Sequence, residues 1–255
     1  MAEITAIVVG NIGSGKSTFL TSLEKRKTGS RLLPLLSMPG EIKVEKEAPE
    51  VLKIVDTKFY PALKEKNKDI LFVAEIDILN ERIKQLQANM RQGGIVFNER
   101  CPYEDRYVFV ANLYNSGYLL KEHYEIYKRE YEYKMRSITS PDLLIYLYTK
   151  PETAFRRRME ELRKGTGGLK SESDLTLEYL KSLHELYEKM INEELPKEIP
   201  NYRDVLLIID ADKDFGPREI LRFHNYIEER AHRLLMKRTY FNSRSKSNIN
   251  ELRFR

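Results

Sequence analysis

Gly10-Asn11-Ile12-Gly13-Ser14-Gly15-Lys16-Ser17 stands directly after the apolar run Ile4–Val9 and directly before Thr18-Phe19-Leu20. The segment Ala6-Ile7-Val8-Val9 is short, rich in β-branched residues and closed by glycine, which is how a buried parallel strand reads. Strand, glycine-rich loop and helix start together make an anion site, because backbone N–H groups and the helix N-terminus point at phosphate. Lys16 adds a mobile cation, and the Ser17 hydroxyl is a ligand for Mg²⁺. With every fixed position of the motif present in this context, the loop Gly10 to Ser17, with Thr18 beside it, predicts a nucleoside triphosphate site.

Working outward from the loop, strand-like apolar runs recur at 95–97, 143–148 and 205–209, with a weaker one at 42–44. Long polar segments of helical spacing separate them, notably 71–90, 118–135, 151–162 and 175–195. This alternation predicts an α/β architecture of the P-loop NTPase kind, a five-stranded parallel sheet with helices on both faces. In such sheets the ligand sits outside the carboxyl ends of the strands. Residues 163–174, rich in Gly, Lys and Ser, read as a lid segment between two helices. Tyr124, Tyr127 and Tyr131 recur at i, i+3, i+7 and make one helix face aromatic, expected to pack on the domain or on a partner subunit.

A chain of 255 residues buries a substantial core as one domain, here expected over 1–238. From residue 229 to the end, eight Lys/Arg stand against two Glu, an excess of six that outweighs the +5 of the whole chain. The basic balance therefore describes a tail, 239–255, and gives no reason to expect a nucleic-acid partner. Cys101 is the single cysteine, which rules out an intrachain disulfide. No apolar run reaches the roughly 18 residues of a spanning helix, and no charged-then-apolar leader precedes the loop. A cytoplasmic protein without a membrane partner is the expectation.

After the third apolar run comes Asn98-Glu99-Arg100-Cys101-Pro102-Tyr103-Glu104-Asp105-Arg106-Tyr107. A carboxylate and a guanidinium at a strand end beside a phosphate loop suit phosphoryl transfer, with Glu99 on Mg²⁺ and Arg100 offsetting charge on the transferred group.

Together, G-N-I-G-S-G-K-S-T, E-R-C-x-Y-x-D-R-Y-x-F-x-x-N-L-Y, P-E-T…L-E-Y-L-x-x-L-H and D-A-D-K-D-F resemble, in the same order from about Ile4 to Phe215, the deoxyribonucleoside kinase family. The departure is Cys101, where the family has serine. The resemblance implies ATP and Mg²⁺, a deoxynucleoside substrate phosphorylated on its 5′-hydroxyl, and a homodimer paired through helices between Tyr103 and Met135. It makes Glu99 the Mg²⁺-associated acid, Arg100 the charge-stabilising arginine, and Arg157 and Arg163 lid arginines that grip the triphosphate; a further family lid arginine falls near Glu161. Glu172 matches the acid that accepts the sugar 3′-hydroxyl, and Tyr60 belongs to the same substrate set. Residues 210–215, with Asp212, Asp214 and Phe215, resemble the loop that wraps adenine. The general base falls best on Glu47, with Glu45 and Glu50 as rivals.

Aligning on Arg82 puts Glu75 where the family has a base-binding glutamine. An ionised glutamate only accepts hydrogen bonds, which suits guanine or the amino group of cytosine; protonated, it offers a donor and an acceptor and admits adenine. Arg82 and Asp105 match the charged pair of the deoxycytidine and purine members, which disfavours thymidine. Two other readings of the loop are a nucleoside monophosphate kinase and a non-catalytic nucleotide-binding subunit of the same fold.

Overall fold

The structure, a computed structural model, describes residues 4–29, 42–165, 175–213, 216, 218–227, 229–231, 233, 234 and 236. Glu172, Asp214, Phe215, most of the 163–174 segment and the whole 239–255 tail lie outside the described residues.

Among the described residues, five parallel strands run in the order β2-β3-β1-β4-β5. They are β1 (Ile4–Val9), β2 (Ile42–Glu45), β3 (Ile95–Glu99), β4 (Leu143–Tyr148) and β5 (Leu206–Asp210). The central strands β1 and β4 read as unbroken apolar runs because both faces of the sheet are covered there. Ile7, Val9, Leu144 and Tyr146 point into one core, and Ile4, Ala6, Val8, Leu143 and Ile145 into the other. The second core is closed by Phe19, Leu20 and Leu23 of α1 (Lys16–Gly29) and by Ile227 and Ala231 near the C-terminus. On the opposite face lie α4 (Lys68–Met90), α7 (Lys121–Met135) and α9 (Leu177–Lys189).

Between β2 and α4, α2 (Pro49–Ile54) passes through a wide π turn, Val55–Phe59, into α3 (Tyr60–Glu65). Pro61 cannot donate to the carbonyl four residues back, so the ladder widens there. Pro196 has the same effect after α9. The helix expected over 175–195 is interrupted at Met190–Glu194 and resumes as α10 (Leu195–Glu198). A third π turn, Asp105–Phe109, joins α5 (Pro102–Glu104) to α6 (Val110–Asn115), and no proline explains it. The remaining elements are α8 (Pro151–Lys164) and α11 (Tyr202–Val205).

The aromatic stripe of α7 is taken up within the chain. Tyr127 and Tyr131 are buried, and Tyr124 stacks on Tyr114 at 4.3 Å with the rings 5° from parallel. A partner subunit would have to meet other residues of α7.

Candidate active site

Strand register assembles the site. β1 lies at the centre of the sheet, with β3 on one side and β4 on the other, which is where ligands bind in open α/β sheets. Val8 pairs with Glu99 and Glu45 pairs with Asn98, so the chain leaving β1, β3 and β2 arrives at one edge as Gly10, Arg100 and Glu47. A cavity of about 510 Å³ opens there, lined by the loop from Ile12 to Thr18 and by Glu47, Glu75, Arg82, Glu99, Arg100 and Asp105. Leu52, Val55, Phe59, Tyr60, Ile78 and Phe109 give it an apolar side.

The loop is held by its glycines. Gly13 has φ +76°, and a Cβ there would stand 2.3 Å from the Ala154 carbonyl oxygen, so the loop packs on the first turn of α8 only without a side chain. Asn11 Nδ2 donates to the Leu180 carbonyl at 2.9 Å, tying the loop to α9. Lys16 is buried, and desolvation lowers its pKa to about 8, reinforced by nearby Arg100. Ser17 Oγ donates to Glu99 Oε1 at 3.0 Å, so one hydroxyl and one carboxylate face the same point beside the loop.

Arg100 adopts a left-handed backbone, φ 65°, uncommon for a residue with a side chain and typical of functional turns. Its N–H donates to the Val8 carbonyl at 3.2 Å, and its guanidinium lies 5.0 Å from the Phe109 ring centroid. Nε stands 3.4 Å from Glu47, and Nη1 3.6 Å from Glu104. Burial opposes the charge on Arg100, but the carboxylates of Glu104 and Glu47 outweigh it and raise the pKa.

Of the three glutamates at the end of β2 and just beyond it, Glu47 alone lines the cavity. Glu45 accepts from Gln92 at 3.0 Å, and Glu50 is exposed in the first turn of α2. Glu47 is ion-paired with Arg82 as well as Arg100. Burial would raise its pKa, but the two guanidiniums reverse that and hold it below the ordinary value of 4.5.

Arg82 also pairs with Asp105, so a single guanidinium joins Glu47 and Asp105. Glu75 lies seven residues, two helical turns, before Arg82 and on the same face of α4. It is 3% exposed, has no hydrogen-bond or ion-pair partner among the described residues, and has its pKa raised to about 7 by desolvation. Ser14 Oγ, Arg82 Nε and Asp105 Oδ2 are likewise buried without partners. Such a concentration of unsatisfied polar atoms around one cavity marks a ligand site.

Arg157 is not among the residues that line the cavity: its Nη1 donates to the Ala211 carbonyl at 2.7 Å, and Asp212 accepts from the Lys150 backbone N–H at 3.1 Å. The cavity is lined instead by Arg158, which pairs with Glu161 at 3.0 Å. Arg163 is exposed at the end of α8. Sequence reasoning gave no site role to Arg158, Tyr179 or Phe109: Tyr179 and Phe109 stand in the L-E-Y-L and E-R-C-x-Y-x-D-R-Y-x-F motifs, and the run Arg156-Arg157-Arg158 was the only signal for Arg158.

A profile of the deoxynucleoside kinase family matches residues 6–229. The chain belongs to the deoxynucleoside kinase family. It is 27% identical over 227 residues to deoxycytidine kinase 2 of Gallus gallus, covering 82% of this chain and 82% of that protein. It is 26% identical over 196 residues to the deoxyadenosine kinase of Dictyostelium discoideum, covering 77% and 69%. A third similarity, 32% over 117 residues, is to mitochondrial thymidine kinase 2 of Homo sapiens and spans 45% of this chain and 40% of that one. As a deoxynucleoside kinase, the chain is a phosphotransferase that moves a phosphoryl group from a nucleotide to a deoxynucleoside. None of the described helices is long and apolar enough to cross a membrane.

Proposed function

We propose that this deoxynucleoside kinase uses ATP and Mg²⁺ to phosphorylate the 5′-hydroxyl of deoxyguanosine, deoxycytidine or deoxyadenosine in preference to thymidine. The carrying observation is that one cavity is lined both by the phosphate loop and by Glu75 with the Arg82–Asp105 pair. Donor phosphates lie on the loop amides and Lys16. Glu47 takes the proton as the 5′-oxygen attacks the terminal phosphorus of ATP, the bond from that phosphorus to the bridging oxygen breaks to release ADP, and Arg100 offsets charge on the phosphoryl in transit. Ser17 and Glu99 would hold Mg²⁺ through an alcohol and a carboxylate, and the ion would offset negative charge on the phosphates.

Glu75 reads the base, Tyr60 lies on the nucleoside side of the cavity, and Arg158 joins Arg157 and Arg163 as a candidate triphosphate contact. Glu172 remains the candidate for the sugar 3′-hydroxyl, and Asp212, Asp214 and Phe215 for the adenine of ATP. Purified protein with ATP and Mg²⁺ is expected to phosphorylate at least one deoxynucleoside much faster than any nucleoside monophosphate. Faster turnover of a monophosphate would overturn the assignment.

We place the pairing face of a homodimer on the exposed apolar residues of α4 and α7, Ile70, Val73, Ile126 and Tyr133. Light scattering at micromolar concentration is expected to give twice the chain mass, and Tyr133→Glu with Ile126→Glu to give the monomer.

A further inference from the structure

A polar seam runs along the last turns of α4, where a helix packed on a sheet is ordinarily apolar. Arg82, Gln85 and Asn89 recur at i, i+3 and i+7 on one face of the helix, and Gln92 follows just past its end. Arg82 pairs with Glu47. Gln85 Nε2 donates to the Lys46 carbonyl at 2.7 Å. Gln92 Nε2 donates to Glu45 Oε1 at 3.0 Å, and Asn89 Nδ2 to Asn98 Oδ1 at 2.6 Å, Asn98 being the β3 residue in register with Glu45. The chain leaving β2 is therefore held at 45, 46 and 47 in turn, each residue by a different side chain of this seam.

These anchors are not equivalent. Asn89 and Asn98 are buried, and the Asn98 amide also donates to the Ala6 carbonyl at 3.2 Å, so that contact belongs to the sheet. Glu45 is the last residue of β2 and is placed by its pairing with β3. Beyond it, residues 46–48 belong to no strand or helix, and α2 starts at Pro49. Glu47 stands in that gap, and the half-buried Gln85 amide fixes the carbonyl of the residue just before it.

The ion pairs of Glu47 do not supply the same constraint. Its Oε1 faces Arg82 and its Oε2 faces Arg100 at 3.4 Å, so each oxygen already has one guanidinium and a proton must be taken on a remaining lone pair. Charge attraction sets where the carboxylate lies, but the turn of its plane follows from where the backbone enters. General-base catalysis needs that lone pair within hydrogen-bond reach of the 5′-hydroxyl. We propose that Gln85 is a positioning residue for catalysis: by holding the Lys46 carbonyl, it sets the backbone from which the Glu47 carboxylate is aimed at the attacking hydroxyl. This role rests on the reading of Glu47 as the base. Gln85 does not itself line the cavity and stands in none of the motifs shared with the family.

The test is steady-state kinetics on Gln85→Met, which keeps the length of the side chain and removes the donor. kcat is expected to fall about five- to twentyfold, less than the roughly hundredfold that a 1 Å misplacement costs, with KM for ATP and for the deoxynucleoside within about twofold. Gln85→Glu, equally long but setting a carboxylate against the carbonyl, is expected to lose at least as much. In a Glu47→Gln background Gln85→Met is expected to lower kcat no further, because no base is left to aim. Gln92→Met is expected to keep kcat within about twofold, since pairing with β3 already holds Glu45. Unchanged kcat in Gln85→Met overturns the proposal. So does an equal loss in both backgrounds, a loss carried by KM, or a Gln92→Met enzyme as slow as Gln85→Met, each of which marks a general loosening of the sheet edge. If Glu47→Gln itself turns over normally, the base assignment fails and takes this role with it. If Glu47→Gln is slow and Gln85→Met is not, the base stands and only the role of Gln85 falls.

Discussion

Glu47→Gln is expected to lower kcat by about 10²-fold or more, with the deoxynucleoside KM changed by no more than a few-fold, the pattern of a lost general base. The amide keeps the size of the carboxylate and one acceptor oxygen for Arg82, so the wall it forms with Arg82 and Asp105 should persist. What disappears is the only carboxylate of the charged run 43–50 that lines the cavity. Burial alone would push Glu47 toward its neutral form, but Arg82 and Arg100 hold its pKa below 4.5. Two consequences follow for the pH profile. Glu47 should impose no acid limb on kcat near neutral pH. Its ion pairs should also contribute stability above its ordinary pKa and lose it only as pH falls through the lowered one. Steady-state kinetics on Glu45→Gln, Glu47→Gln and Glu50→Gln separate the alternatives. If Glu47→Gln turns over normally while Glu45→Gln or Glu50→Gln is dead, the strand register does not place the base.

The ambiguity among those glutamates shows where sequence stops being informative. β1 and β4 were legible to the residue because they are unbroken apolar runs in the middle of the sheet. β2 is four residues long and only half-buried, so neither periodicity nor hydropathy set its end, and the position of a side chain two residues beyond was undetermined. Pairing with β3 fixes where β2 ends, and that pairing is a long-range event. Arg157 and Arg158 pose a different problem. Adjacent residues on a helix point about 100° apart, so a run of three arginines cannot say which one faces the ligand until the buried face of α8 is known. Glu75 was within reach because its spacing from Arg82 is a local, helical quantity. The contact of Gln85 with Lys46 had no signal, since nothing in a sequence pairs two residues brought together by the packing of α4 against the end of β2.

The base preference of this kinase is expected to change with pH. Glu75 is buried at the cavity wall with no partner of its own, and its carboxyl has a pKa of about 7, raised by desolvation and only partly offset by Arg82. Tyr127, whose buried hydroxyl also lacks a partner, and Arg82 are the ionisable groups that feel its charge. Below about pH 7 the protonated acid presents one donor and one acceptor, the complement of the adenine edge. Above it, the carboxylate only accepts, which fits the two donors of guanine N1–H and N2–H₂ or the amino group of cytosine. The kcat/KM ratio of deoxyadenosine to deoxyguanosine should therefore fall as pH rises from 6 to 8. Because a mismatched buried polar group costs about 1–3 kcal/mol, the change should be about five- to a hundredfold at its limits. Glu75→Gln fixes the donor and acceptor at every pH, so it should hold the ratio near its acidic value and flatten the profile. A ratio that is flat in the parent enzyme, or that varies as steeply in Glu75→Gln, would show that Glu75 does not touch the base. In that case the kinase assignment would still hold, because it rests on the family match and on the phosphate loop.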